Sequence, residues 1–242
     1  MPKNKLELLH EDEQLVVANK APGVLSIPDR FHPEKPNLLT MLNRKYEKVW
    51  TVHRIDRETS GAIVFARDEH THRHLSRQFQ ERTVEKTYLA LLDGQLHQEE
   101  GTIDRPLVEH PGKPGQMMVA KKGKRAVTHY HLVERFERFS LVAFTIETGR
   151  QHQIRVHAES LGYPLAVDEL YGRRSAFYLS EVKQRNYRLA KNKEERPLMD
   201  RLSLHAWKLA FQHPTTEERL SLEAPLPKDF KAVVNQLQKW GK

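Results

Sequence analysis

Val52-His53-Arg54-Ile55-Asp56-Arg57-Glu58-Thr59-Ser60-Gly61-Ala62-Ile63-Val64-Phe65-Ala66 runs from a dense cluster of charge straight into apolar chain. Residues Ala62 to Ala66 predict a compact apolar strand. Just before it, the carboxylate of Asp56 lies among Arg54, Arg57 and the hydroxyl pair Thr59-Ser60, next to Gly61. Cations within a few ångström lower a carboxylate pKa and keep it ionised. An ionised, fixed carboxylate can act as a nucleophile or a base. The same residues also suit an ordinary turn in which Asp56 or Thr59 caps backbone amides, and on spacing alone the turn is the commoner outcome.

Working outward from this stretch, Gln14 to Ala18 read as a short strand, and Asn19 to Pro28 as a loop with the turn chemistry of Pro22, Gly23 and Pro28. Leu38 to Tyr46 suit a short helix. His70 to Arg82 suit another, with a narrow apolar stripe of Leu75 and Phe79. Thr87 to Leu92, Ala126 to Val133 and Leu141 to Ile146 are strand candidates, and Val142, Phe144 and Ile146 alternate onto one face. Between them, Asp104 to Arg125 is broken by Pro106, Pro111, Gly112, Pro114, Gly115 and Gly123 into a loop or hairpin. Its Lys113, Lys121, Lys122, Lys124 and Arg125 meet no acid after Glu109.

Ile154, Ala158 and Leu161 mark a helix closed by Gly162 and Pro164. Gly172 to Arg201 holds nine Lys or Arg against four acids and reads as a basic surface excursion. Leu202 to Phe211 and Leu220 to Leu222 complete the strands, with a turn at His213-Pro214. Phe230, Val233, Val234, Leu237 and Trp240 make an amphipathic C-terminal helix. Strands and helices mix without strict βαβ alternation. The expected fold class is therefore α+β, with a mixed, largely antiparallel central sheet and flanking helices and loops.

Two further segments carry candidate chemistry. Glu147-Thr148-Gly149-Arg150-Gln151-His152-Gln153-Ile154-Arg155-Val156-His157 combines a strand end, a glycine turn and a helix start, so free backbone N–H groups are expected to point outward there. Gln151 and Arg155, four apart, are expected on one helix face, and Arg155 suits two-point binding of a phosphate or a carboxylate. An ordinary charged helix with a satisfied salt bridge is an equal alternative. In Lys86-Thr87-Tyr88-Leu89-Ala90-Leu91, Tyr88 lies on a strand, where it can stack on or hydrogen-bond to a base, although a core or cross-strand tyrosine is the more common fate.

Composition narrows the classes further. The chain has 242 residues, 40 Lys plus Arg against 32 Asp plus Glu, and no cysteine. The resulting +8 favours an anionic partner, which RNA, DNA and acidic membrane surfaces all satisfy. Without cysteine there is no disulfide scaffold, no thiolate metal ligand and no cysteine nucleophile. The 14 histidines show no HExxH spacing and no ordered set of three or four ligands, so no metal site is expected. Met1 to Lys5 lead into charged Glu11, Asp12 and Glu13 rather than an apolar signal core, and no apolar run approaches the roughly 18 residues of a membrane span. A soluble cytoplasmic monomer is the expectation.

Taken together and in order, these segments resemble the RluA-type pseudouridine synthase family. His53 to Gly61 is similar to that family's H-R-L-D-x-x-T-S-G, with Ile55 for Leu, and Lys86 to Ala90 to its K-x-Y-x-A. Glu147 to His157 resembles E-T-G-R-x-H-Q-I-R-x-H, and Gly123 to Thr128 resembles G-K-x-A-x-T. Pro164 to Gly172 is similar to P-h-h-G-D-x-x-Y-G, with Val167 in place of a glycine, and Leu204-His205-Ala206 to a late L-H-A. Asn19-Lys20-Ala21-Pro22-Gly23 inverts the usual K-P-x-G. The resemblance runs from about Leu6 to Pro214 or beyond.

The resemblance implies one catalytic domain over residues 1–242, with basic excursions at about 104–125 and 172–201 and no separate S4-like RNA-binding domain. It implies isomerisation of uridine to pseudouridine in ribosomal or transfer RNA, without cofactor or metal. Asp56 matches the catalytic aspartate, acting through a covalent adduct or a glycal route. Tyr88 matches the tyrosine that packs on uracil and assists proton loss from C5. Arg155 matches the basic residue that pairs with the aspartate. Arg54 matches the arginine that enters the RNA where the target base leaves the stack, and Ile154 fits the apolar wall beneath that base. Arg150, Gln151, Lys121, Lys122 and Lys124 are the remaining candidate RNA contacts. A binder on the same fold without catalysis is the rival reading; the combination of Asp56, Tyr88 and Arg155 argues against it. A glycosidase using Asp56 with Glu58 is weaker, because those carboxylates are too close in sequence to guarantee opposed positions across a sugar.

Overall fold

The computed structural model describes residues 6–184, 187–189 and 194–241. The reading of Met1 to Lys5, and the part of the basic excursion at 185–186 and 190–193, fall outside the described residues. The chain divides into two compact units, Met1–Tyr88 with His205–Pro225, and Leu89–Leu204 with Leu226–Lys242.

In the first unit the strands are β1 (Leu8–Glu11), β2 (Leu15–Lys20), β3 (Trp50–Thr51), β4 (Ser60–Ala66), the start of β5 (Glu85–Asp93), β11 (Leu204–Gln212, all but its first residue) and β12 (Arg219–Glu223). Their order is β1-β2-β4-β11, with β3 pairing β4 and β12 pairing β11. Every one of these pairings is antiparallel except β4 with β11. β4 is buried along its whole length, which explains the apolar run from Ala62 to Ala66. On one face, Ile63 and Phe65 pack with Leu38 and Leu42 of helix α1 (Leu38–Tyr46). On the other, Ala62 and Val64 pack with Leu75 of helix α2 (Glu69–Glu81), Leu209 and Phe211. Each helix begins at a side-chain cap. Asn37 accepts from the Thr40 amide, and Asp68 from the Thr71 amide.

The second unit carries an antiparallel meander of β6 (Glu100–Asp104), β9 (Val127–Arg135) and β10 (Phe139–Ile146). A hairpin of β7 (Leu107–Glu109) and β8 (Met117–Val119) stands where a loop or hairpin was expected. Among the described residues it also holds the helices α3 (Gln153–Ser160), α4 (Leu179–Lys183) and α5 (Lys228–Trp240). α5 buries Phe230, Val233, Val234 and Leu237 of the face its periodicity predicts, while Trp240, the last of that stripe, is exposed at the helix end.

The α+β class with largely antiparallel pairing is as the sequence predicts. Several details differ. Asn19 and Lys20 extend β2 rather than opening the loop. β1, β3, β6 and α4 are short elements whose mixed polarity hides their period. The Gly172–Arg201 segment is not wholly superficial, because Phe177, Val182 and Met199 are buried. Phe177 bridges to Met199 and packs on Phe139 at 5.0 Å. Three isolated apolar residues among many charges have no periodicity to reveal them.

Candidate active site

The Asp56 loop is built by clamps on its backbone. Lys20, at the end of β2, is buried and donates from Nζ to the carbonyls of Ala21 (3.1 Å), Val24 (2.6 Å) and Arg57 (2.8 Å). The Gly23 amide donates to the same Arg57 carbonyl at 3.0 Å. Ser26 Oγ donates to the Ile55 carbonyl (2.9 Å) and lies 3.2 Å from the Ile55 amide, which donates to it. The residues on either side of Asp56 are thereby fastened to the loop that follows β2.

Two histidines hold the flanks. His53 Nε2 accepts from the Val64 amide at 3.2 Å, and its ring stacks on Phe79 of α2 at 4.5 Å. Burial, and then the charge of Lys86, push its pKa down to about 3, so the ring is neutral with its proton on Nδ1. His205 is fully buried; its Nε2 faces the Ala224 carbonyl at 3.1 Å and its Nδ1 faces Ser60 Oγ at 2.9 Å. Since a carbonyl only accepts, Nε2 carries the proton and Ser60 donates to Nδ1. One residue later, Gly61 adopts φ +116°, and a Cβ there would stand 2.1 Å from the Ala206 carbonyl oxygen. Only glycine permits this approach of β4 to β11.

Within this frame the Asp56 carboxylate takes part in no hydrogen bond or ion pair among the described residues. The turn uses its backbone instead, the Thr59 amide donating to the Asp56 carbonyl at 3.1 Å. Neither Asp56 nor Thr59 caps a backbone amide with its side chain. Arg57 is directed to the Gly23 carbonyl (3.2 Å) and to Glu58 (3.4 Å), while Arg54 is exposed. Tyr88, on β5, senses Asp56: burial first, and the Asp56 charge second, raise its phenol pKa, so the hydroxyl keeps its proton.

The second unit holds the other named residues on and before α3. Gln153 ties the turn together. Its Oε1 accepts from Thr148 Oγ1 (2.7 Å) and the Arg150 amide (3.0 Å), while its Nε2 donates to the Val127 carbonyl and Thr128 Oγ1 (both 2.9 Å). The expected free amide at Arg150 is therefore satisfied. His152 stands at φ +54° immediately before the helix. Gln151 precedes the helix, is exposed and donates to the Gly115 carbonyl at 3.2 Å, so it does not share a helix face with buried Arg155. Arg150 donates to the Arg125 carbonyl at 3.1 Å.

Arg155 makes a two-point pair with Asp168, at 2.7 and 2.6 Å, a partner that sequence reasoning does not single out. Asp168 is itself buried and also accepts from the amides of Leu170 and Tyr171. The guanidinium lies 4.9 Å from the Tyr171 ring centroid. Tyr171 Oη accepts from the Met117 amide (2.7 Å) and lies 2.8 Å from His152 Nδ1, linking the β7–β8 hairpin to α3. Ile154 is buried. Lys121, Lys122 and Lys124 follow β8 as exposed side chains with no ion pair among the described residues.

Sequence reasoning missed Lys20, His205 and Asp168 as organisers of these segments. Lys20 had a signal, a lone cation at the end of an apolar strand. The partners of His205 and Asp168 lie too far along the chain for any local pattern to show them. Among the described residues, no group of three or more His, Asp or Glu is arranged to hold a metal ion, and no helix is long and apolar enough to cross a membrane.

The architecture is that of a pseudouridine synthase. A solved structure described as human RNA Pseudouridylate Synthase Domain Containing 4 superposes with a TM-score of 0.74 at 27% identity, covering 96% of this chain and 93% of that one. The sequence model described as RNA pseudouridylate synthase matches residues 14–160. The ribosomal large subunit pseudouridine synthase D of Nitrosomonas europaea is 35% identical over 96% of this chain and 65% of its own length. The uncharacterized RNA pseudouridine synthase YhcT of Bacillus subtilis is 37% identical over 94% of this chain and 70% of its own. The chain belongs to the RNA pseudouridylate synthase family, isomerases that act on RNA.

Proposed function

We propose that this enzyme converts specific uridines of ribosomal or transfer RNA to pseudouridine, with Asp56 as the group that acts at the sugar. The observation that carries the reading is the Asp56 carboxylate, held rigidly by its backbone and committed to no protein donor among the described residues. Ribosomal RNA is the first substrate to test, since relatives in Nitrosomonas europaea and Pseudomonas aeruginosa are named for the large ribosomal subunit.

The reaction breaks the C1′–N1 bond, turns the uracil and joins C1′ to C5; C5 loses a proton and N1 gains one. No electrons are exchanged and no group leaves the RNA, so the chemistry calls for no cofactor. Asp56 acts either by adding to C1′ or by taking the C2′ proton on a glycal route. Tyr88 packs on the base and orients it for the loss of the C5 proton; its hydroxyl keeps its own proton and is not the acceptor. Arg155 and Ile154 are the charge and the apolar wall that the family resemblance assigns to the nucleotide. A uridine in a stem must leave its stack, which costs a few kcal/mol. Exposed Arg54 offsets part of this by filling the gap, while Arg150, Gln151, Lys121, Lys122 and Lys124 hold the backbone. We read residues 1–242 as one catalytic domain, acting as a monomer in the cytoplasm.

The test is a map of pseudouridine in total RNA from cells with the gene, without it, and with Asp56→Asn. Loss of the same one or few sites in the null and the variant is the expected result. A variant that restores every site missing from the null would remove Asp56 from the mechanism.

A further inference from the structure

Lys86 stands two residues before Tyr88 on β5, and alternate residues of a strand share a face. It is only 8% exposed. Yet among the described residues its ammonium has no hydrogen bond and no ion pair. Its surroundings are the Phe79 ring, 5.7 Å away, and the neutral His53 stacked on that ring. Burial, and then the like charge of Arg82, lower its pKa. The acid beside it in sequence, Glu85, is engaged by Arg219 at 2.7 Å.

The side chain is largely buried while its ammonium keeps an edge on solvent, and a cation so placed without a counter-ion supports a fold less well than an apolar side chain of similar length. The protein carries this liability beside His53, at the start of the Asp56 loop, and on the Tyr88 face. An arriving anion would remove it. RNA brings one phosphate with every nucleotide, and two residues of strand span roughly 6.6 Å, within reach of a neighbouring nucleotide.

We propose that Lys86 is a phosphate-binding residue, whose ammonium takes a backbone phosphate of the RNA flanking the target uridine. Its place beside the reacting nucleotide rests on Asp56 and Tyr88 as the reacting site; its role as a phosphate ligand does not. The lysine is held ready by the Phe79–His53 stack and receives its counter-ion only with substrate.

The experiment uses the full chain with Lys86→Met, Lys86→Arg and, as a control, Asp56→Asn. Binding of poly(U) RNA is followed by fluorescence anisotropy across a range of KCl concentrations, and thermal unfolding is measured without RNA. Lys86→Met is expected to weaken binding about tenfold at low salt and to reduce the log–log salt slope by about 0.7, the value for one single-strand phosphate contact. Lys86→Arg is expected to keep the slope. Lys86→Met should unfold at the same temperature as wild type or higher. An unchanged slope in Lys86→Met, or a variant that folds poorly, overturns the proposal and makes Lys86 a structural residue. Asp56→Asn should keep the slope while abolishing pseudouridine formation. If it stays active while Lys86→Met shows the reduced slope, the phosphate contact stands and the assignment of Asp56 fails.

Discussion

Among the described residues the Asp56 carboxylate takes no donor, and several neighbours that could bind it are held elsewhere. Arg57 is taken by Gly23 and Glu58, the Thr59 amide by the Asp56 backbone carbonyl, and Ser60 by His205. The same economy shows at His53, whose ring replaces a strand partner for Val64. That role makes the fold sensitive to acid. The folded pKa of about 3 lies below the unfolded value near 6.5, so as pH falls the unfolded state binds the proton first. Stability contributed here is complete above about pH 6.5 and declines by up to about 1.4 kcal/mol per pH unit towards pH 3. His157, lowered mainly by burial, adds in the same sense. His53→Gln keeps an acceptor for Val64 without a titrating ring. Its unfolding free energy, measured with urea from neutral pH to about pH 4, is expected to fall less steeply than that of wild type. A parallel decline would remove His53 from the acid response.

At the scale of an element, α3 is a helix whose start has no side-chain cap and whose stability comes from what it reaches. Gln153 connects it to β9 and to the turn before it, and Arg155 connects it to Asp168. A buried pair is weak evidence of net stabilisation, but removing one partner leaves the other charge stranded. Arg155→Met is therefore expected to lower stability by about 3–5 kcal/mol in urea unfolding, apart from any effect on turnover. A decrease below about 1 kcal/mol would mean that Asp168 is solvated on its own. Activity measurements on Arg155 variants should be read only beside that stability measurement.

Over the whole molecule the excess of positive charge is unevenly free. Glu147 holds Arg125 and His129, Asp93 holds Arg174, and Asp229 holds Arg201. The lysines after β8 are left without such partners among the described residues. RNA affinity should fall steeply with salt. Replacing Lys121, Lys122 and Lys124 together by Ala is expected to reduce the log–log slope by up to about 2, at roughly 0.7 for each single-strand phosphate that is no longer neutralised. The melting temperature should not change, since the three side chains are exposed. An unchanged slope would move the RNA path away from this turn.

The sequence by itself determined the family, through ordered motifs around Asp56, Tyr88 and Arg155. It also determined the elements with a clear local signal. α1 lies over the residues predicted, after its Asn37 cap, and α5 buries the expected stripe except for Trp240 at its end. Periodicity and capping are set by residues within a turn or two of each other, so one chain suffices to read them. Only the tertiary structure decided what holds the site. Ser60 meets His205 across 145 positions, and Lys20 reaches Arg57 across 37. Such pairings leave no mark on spacing or composition. They exist because a buried hydroxyl, imidazole or ammonium must find a partner wherever the fold brings one near.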